Sequence, residues 1–404
     1  MTVPELLQKG TAEYRRASAV LFVAGFLTFA MLYVVQGVLP AVSEDFDVSP
    51  AVASLTLSLT TLPLAVMVVV TASWSEGQGR RPLLVGSLVG AAVLTLAAAA
   101  SPAFPVLLAL RVLTGVVLAG FPAVAMAYVA EEFHPAGLGT AMGLYISGTG
   151  LGGMCARVTG SLLAGWFSWR WSLAVIGAVC LLGAAWVATR LPASRNFVAA
   201  DGRLRDRIGL MRGPLGDSVV VRLALCGFVI MGSLVSFYNY LQYRLALPPF
   251  TLPPTLVSLV FVLYLSGTLS ANWMGRLTDR RSRRSVMLLG LGIMAAGAAV
   301  SLTTRLPLVL VGTTLMVFGF FGTHSVASGF VGVWSLRQRA QASALYLFGY
   351  HVGSSLVGYV GGVFYGHFGW PGEIGTVLVL LAAGAAVVFR LPADSVRQEE
   401  PDAA

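Results

Sequence analysis

Four side chains stand where charge is least welcome. Arg111, Arg157, His324 and His351 all fall inside long apolar runs, and an ionised group at the centre of a bilayer costs about 3 kcal/mol on insertion scales. Such a group faces a water-filled cavity, a polar partner, or the interface to which a long side chain snorkels. A guanidinium in a cavity presents a rigid fork of donors, which suits an anionic or strongly polar solute. An imidazole exchanges protons near neutrality, its unperturbed pKa being about 6.5; the bland alternative is a neutral histidine bonded to a neighbouring helix. Tyr33 and Gln36 in the first run, with Tyr238 and Asn239 in the seventh, offer hydrogen bonds and aromatic surface for a small-molecule substrate, or else belong to the interfacial aromatic belt. No Asp or Glu lies well inside a run, so the histidines are the expected proton-coupling groups.

The elements that must position these residues are membrane spans. The chain is 57% hydrophobic and 11% charged, whereas soluble domains carry about 25% charge. Apolar runs fall near 18–40, 50–73, 83–100, 105–130, 140–164 and 171–190, then near 219–243, 255–274, 285–303, 306–332, 341–365 and 373–390. Each is close to the ~20 residues that cross a bilayer as a helix. The runs are continuous rather than alternating, which excludes a β-barrel. Disorder, a disulfide scaffold and a soluble single-core enzyme are excluded by the same composition. Cys155, Cys180 and Cys226 sit in apolar runs as small packing residues, and no metal or cofactor site is expected. No metal-protease, nucleophile-elbow or P-loop motif is present, so an enzyme is not expected. A non-transporting receptor would want a sizeable soluble domain, and the longest polar stretch is only about 191–218.

The net charge of +9 points to the lipid surface rather than to nucleic acid, because it is sorted by side. With both termini in the cytoplasm, 21 of the 26 basic residues lie on the inner side, and the outer loops hold only Arg170, Arg244 and Arg305. The stretch 191–218 then reads as a cytoplasmic linker between two six-span halves, 1–190 and 219–404. Those halves echo one another. Gly143-Leu144-Tyr145 through Phe167-Ser168-Trp169 reappears as Ala344-Leu345-Tyr346 through Phe368-Gly369-Trp370, and Glu76, Arg80 and Arg81 reappear as Asp279, Arg283 and Arg284. Two registered echoes argue for the parallel duplication found in one class of secondary transporters. An acid beside paired arginines can form charge-assisted bonds that hold helices in one conformation, a latch for gating, or can be ordinary positive-inside charge.

These residues resemble the major facilitator superfamily in its twelve-span form. Gly275, Asp279, Arg283 and Arg284 match its loop signature with Ser282 in place of a glycine, and Ala72, Glu76, Gly79, Arg80 and Arg81 give a second imperfect copy. Arg111 with Gly115 is similar to its R-x-x-x-G element, and Gly148, Gly150, Gly152 and Gly153 to its antiporter motif, with Leu151 near the usual proline. Tyr33, Gln36, Pro40 and Gly152-Gly153-Met154 resemble the YnfM-like, arabinose-efflux-permease-like group. The resemblance implies an all-α membrane protein of twelve transmembrane helices in two six-helix pseudo-repeat bundles. It also implies alternating access, proton-coupled efflux of a small organic solute, a monomer and the inner membrane. It puts spans one, four, seven and ten on the path, hence Arg111 and His324. Arg157 keeps two readings, substrate contact or glycine-lined helix seam, and His351 two of its own, a proton-coupling group facing the cavity or a member of a small-residue seam. Proton-independent transport of an anionic solute remains the alternative.

Overall fold

The computed structural model describes residues 6–75, 79–197, 209, 211–335 and 339–393. Within them the backbone is helical apart from short connections and one isolated bridge between Leu7 and Phe133. Lipid dictates this outcome, since a backbone N–H or C=O in hydrocarbon has no water to bond and each segment must satisfy its own. Ten helical stretches among the described residues are long and apolar enough to cross a membrane. One of them, Gln341–Phe389, has 49 residues, more than twice what a hydrocarbon core of roughly 30 Å requires. It breaks at Gly369, where φ is 63° and ψ −154°, a conformation that favours glycine. Pro135–Trp166, 32 residues long, has the length for a crossing but is rich in glycine.

The chain divides into two compact units: Met1–Ile208 with Leu245–Val262, and Gly209–Arg244 with Leu263–Ala404. In the first, α1 (Ala12–Tyr33) tightens into a 3₁₀ turn (Val34–Val38) and continues as α2 (Leu39–Asp45). Then come α3 (Pro50–Ser75), α4 (Arg80–Ala99), α5 (Phe104–Leu118), α6 (Gly120–Glu132), α7 (Pro135–Trp166) and α8 (Trp169–Arg190). The second unit holds α9 (Arg212–Gly216) and α10 (Ser218–Ala246). The short α11 (Pro254–Ser258) groups with the first unit, where Ser161 Oγ donates to the Pro254 carbonyl at 3.4 Å. After a second 3₁₀ stretch (Leu259–Leu265) the second unit resumes with α12 (Ser266–Leu277), α13 (Arg283–Val300), α14 (Leu306–Trp334) and α15 (Arg339–Phe389).

The duplication seen in the sequence has a physical counterpart. A methyl group on Gly148 or Gly152 of α7 would strike the carbonyl oxygen of Phe22 or Phe26 of α1. One on Gly349 or Gly353 of α15 would strike that of Ala224 or Phe228 of α10. Small residues at these points let backbones approach closely, which drives helix association where hydrophobicity cannot. Arginines cap helix ends in matching fashion. Arg81 Nη2 donates to the Ala188 carbonyl at 2.7 Å and Arg284 Nη1 to that of Leu391 at 3.2 Å. Arg16 and Arg222 donate to the carbonyls of Arg190 and Arg390. Each cation meets the negative end of a helix dipole.

Candidate functional site

The first unit gathers its polar side chains where α1 changes to 3₁₀. Arg157 of α7, 3% exposed, donates through Nε to Gln36 Oε1 at 2.6 Å. Its guanidinium lies 3.9 Å from the Tyr33 ring centroid and 5.9 Å from that of Phe261. Gly37 makes this possible, since a Cβ there would collide with the Arg157 backbone carbonyl. Three of the predicted residues, Tyr33, Gln36 and Arg157, therefore form one cluster: a cation backed by an amide and an aromatic face. It can hold a carboxylate, a hydroxyl-rich solute or an aromatic ring.

Arg111 stands apart from them. It is fully buried and donates to three backbone carbonyls, Met31 at 3.2 Å, Leu32 at 3.0 Å and Thr56 at 3.3 Å. Met31 and Leu32 belong to the last turn of α1, where carbonyls lose their α-helical donors. The guanidinium thus replaces backbone hydrogen bonds at the break and ties α5 to α1 and α3.

In the second unit His324 of α14 is half-buried, with Nδ1 2.8 Å from the Tyr346 hydroxyl. Its ring stacks on Phe320, with centroids 5.8 Å apart and planes 5° from parallel, and packs on Tyr350 at 5.0 Å. His351 meets Tyr350 edge-on at 5.2 Å, and its Nδ1 has no hydrogen-bond partner among the described residues. The two predicted histidines therefore share one aromatic neighbourhood. Tyr238 and Asn239 are fully buried on α10. Tyr238 connects to the histidines through a chain of rings: Tyr264 at 4.9 Å, then Phe321, Phe320 and His324. Tyr264, Phe320, Phe321, Tyr346 and Tyr350 were not singled out from the sequence. The spacing Tyr346, Tyr350, His351 was the available signal, one helical turn carrying three ring systems.

The expected latch residues separate into three cases. Glu76 lies outside the described residues. Arg80 is buried and pairs with Glu131 at the end of α6, Nη2 to Oε1 at 2.5 Å, with its guanidinium 5.2 Å from the Phe197 ring. In the second unit Asp279 is exposed, and Arg283 lies over the Phe330 ring at 5.9 Å. One further residue corrects the sequence expectation that no acid is buried in a span. Glu373, four residues past the Gly369 break, is 0% exposed. The Pro371-Gly372 punctuation before it reads as a loop, whereas the helix begins immediately after Gly369 and carries Glu373 inward in its first turn. Among the described residues no group of three or more His, Cys, Asp or Glu side chains could hold a metal ion.

The family model of the Major Facilitator Superfamily matches residues 21–273 and 223–404. The chain is 41% identical over 376 residues to the MFS-type transporter YybF of Bacillus subtilis, covering 93% of each protein. It is 38% identical over 387 residues to the inner membrane transport protein YnfM of Escherichia coli, covering 96% of this chain and 93% of that one. In fold it is similar to the crystal structure of a bacterial homologue of the human lysosomal transporter Spinster. That likeness has a TM-score of 0.78 and 16% identity, and covers 94% of this chain and 97% of that one.

Proposed function

The chain belongs to the major facilitator superfamily and is a membrane transporter, and from that premise we propose that it exports a small organic solute in exchange for protons. Twelve spans, a monomer in a prokaryotic inner membrane and both termini in the cytoplasm complete this reading. The carrying observation is the His324–Tyr346–Tyr350–His351 cluster, a titratable pair set among stacked rings. An imidazole bonded to a phenol exchanges a proton with modest rearrangement, and the rings offer stacking surface to an amphipathic solute. Arg157 with Tyr33 and Gln36 supplies the polar contact of the first half, and Tyr238 with Asn239 that of the second. Arg111 supports the site by holding α1 in its broken form rather than by touching solute. Arg80 with Glu131, Arg81 on the Ala188 carbonyl, and Arg283, Arg284 and Asp279 at the corresponding loop of the second half act as gating residues. Export as the direction is supported by the likeness of the first half to the efflux-permease-like group.

Everted vesicles carrying the protein test the reading. An imposed pH gradient should accelerate solute uptake, and His324→Gln should abolish that response while leaving counterflow of labelled against unlabelled solute. Loss of neither activity would remove His324 from the coupling step. A second reading, exchange of an anionic solute without protons, is favoured by the buried cation Arg157; transport indifferent to pH but competed by carboxylates would select it.

A further inference from the structure

The two units make one seam in two chemically different ways. In the first, Ser172 of α8 donates to the Gly160 carbonyl of α7 at 2.7 Å, with Val34 against the same glycine. In the second, a methyl group on Gly361 would meet Ser236 Oγ of α10 and Glu373 Oε2 of the second arm of α15. Glycine matches glycine 201 residues on, and Ser172 matches Glu373 at the same offset. Trp169 and Trp370, anchored through Nε1 to Asp45 Oδ2 and to the Ser301 carbonyl, hold the register. A serine therefore suffices to close this seam. The second unit places a carboxylate there instead, fully buried beside the Ser236 hydroxyl, with no hydrogen bond of good geometry to either oxygen among the described residues.

An ionised carboxylate without water or cation is strongly disfavoured in such a place, and a bound proton removes the penalty. Among the described residues no ion pair to Glu373 is formed. Tyr365 on the first arm of α15 lies within electrostatic reach of Glu373 and Arg244. Tyr240 and Tyr243 of α10 stack beside Tyr365, at 5.3 Å and 6.3 Å. Arg244 is engaged elsewhere, over the Trp370 ring at 5.3 Å and donating to the carbonyls of Leu302 and Thr303. The titratable side chains of α13, Arg283 and Arg284, lie at its beginning, a helix length away from Ser301. Glu373 also sits in the first turn after the Gly369 break, where a small change of angle between the two arms would open or close the seam.

We propose that Glu373, seated with Ser236 and Gly361 where α10 meets both arms of α15, is a proton-binding site, filled while that seam is closed and emptied when it opens. This deepens the proton-coupled reading and rests on it for its role in exchange. Labelling of the wild-type protein in membranes with dicyclohexylcarbodiimide, which modifies protonated carboxyls in apolar surroundings, tests the site directly. Peptide mass spectrometry should find the adduct on Glu373 in mildly acid buffer and a several-fold loss of it in alkaline buffer. Absence of the adduct, or a yield indifferent to pH, would overturn the site. Glu373→Ser, which borrows the first unit's solution, should keep near-wild-type thermal stability and counterflow yet alter the pH profile of exchange. An unaltered profile in that variant would overturn the coupling role of Glu373. Wild-type exchange that ignores pH while the adduct stays pH-dependent would overturn the proton-coupled reading and support the site.

Discussion

The first long helix of each unit meets its neighbours differently. In the first unit α1 gives way to a 3₁₀ turn at Val34–Val38, and Arg111 of α5 donates to the carbonyls left at the break. In the second, α10 runs from Ser218 to Ala246 without interruption. The segments Phe104-Pro105 and Leu306-Pro307 open α5 and α14 and set the register between them, so that Thr313 stands where Arg111 does. Thr313 is equally buried but returns its hydroxyl to the Val309 carbonyl of its own helix. The difference teaches what the intramembrane arginine is for. Charge is retained where backbone carbonyls have lost their donors, and dispensed with where the helix satisfies itself.

The largest effect should come from removing that arginine. Arg111→Ala would leave the buried Met31 and Leu32 carbonyls short of donors, at about 1–3 kcal/mol for each, while the Thr56 carbonyl keeps the Thr60 hydroxyl. Thermal unfolding in detergent should fall steeply, whereas Thr313→Ala in the second unit should change stability by about 1 kcal/mol or less. Equal losses would break the comparison. Next come the seams that the units share: Gly152→Val and Gly353→Val each drive a side chain into a carbonyl and should cost about 1–3 kcal/mol. Similar losses for the two would sharpen the repeat; a silent Gly353→Val would show the second seam to be looser than its contacts imply.

Function separates the units at smaller magnitude. Arg157→Lys removes a planar group from the Tyr33 face, worth up to about 2 kcal/mol when desolvated, and should raise KM at least several-fold with kcat less affected. Reduced stability with unchanged KM would assign Arg157 to the helix seam. The smallest change is expected from Glu13→Ala, because its pair with Arg195 at 3.7 Å is exposed, and exposed pairs contribute about 0–1 kcal/mol. Unfolding temperature should scarcely move.

Much of the fold was legible because lipid makes few demands and makes them everywhere. Apolar runs of crossing length and a registered pair of glycine-rich segments lead to a duplicated helical bundle without knowledge of a single contact. The Gly148 and Gly349 echo even marked true close approaches. The site was legible in part. Arg157 meets Tyr33 and Gln36 from more than 120 residues away, and His324 and His351 share Tyr350, because each is polar in an apolar run. Glu373 escaped, since Pro371-Gly372 beside it looks like loop chemistry, and the aromatic rings around His324 look individually like packing.

Residue order alone settled the solvent of this protein, its helical class and its internal duplication. These follow from hydrophobic content and spacing, which act locally and additively along the chain. What each buried polar group does was left to the tertiary structure. Arg111 serves backbone carbonyls, Arg157 an amide and a ring, and Glu373 sits with Ser236 and Gly361 at a helix seam. The reason is that hydrogen bonds and charge act over a few ångströms, so the role of such a group depends on which atoms folding brings within reach.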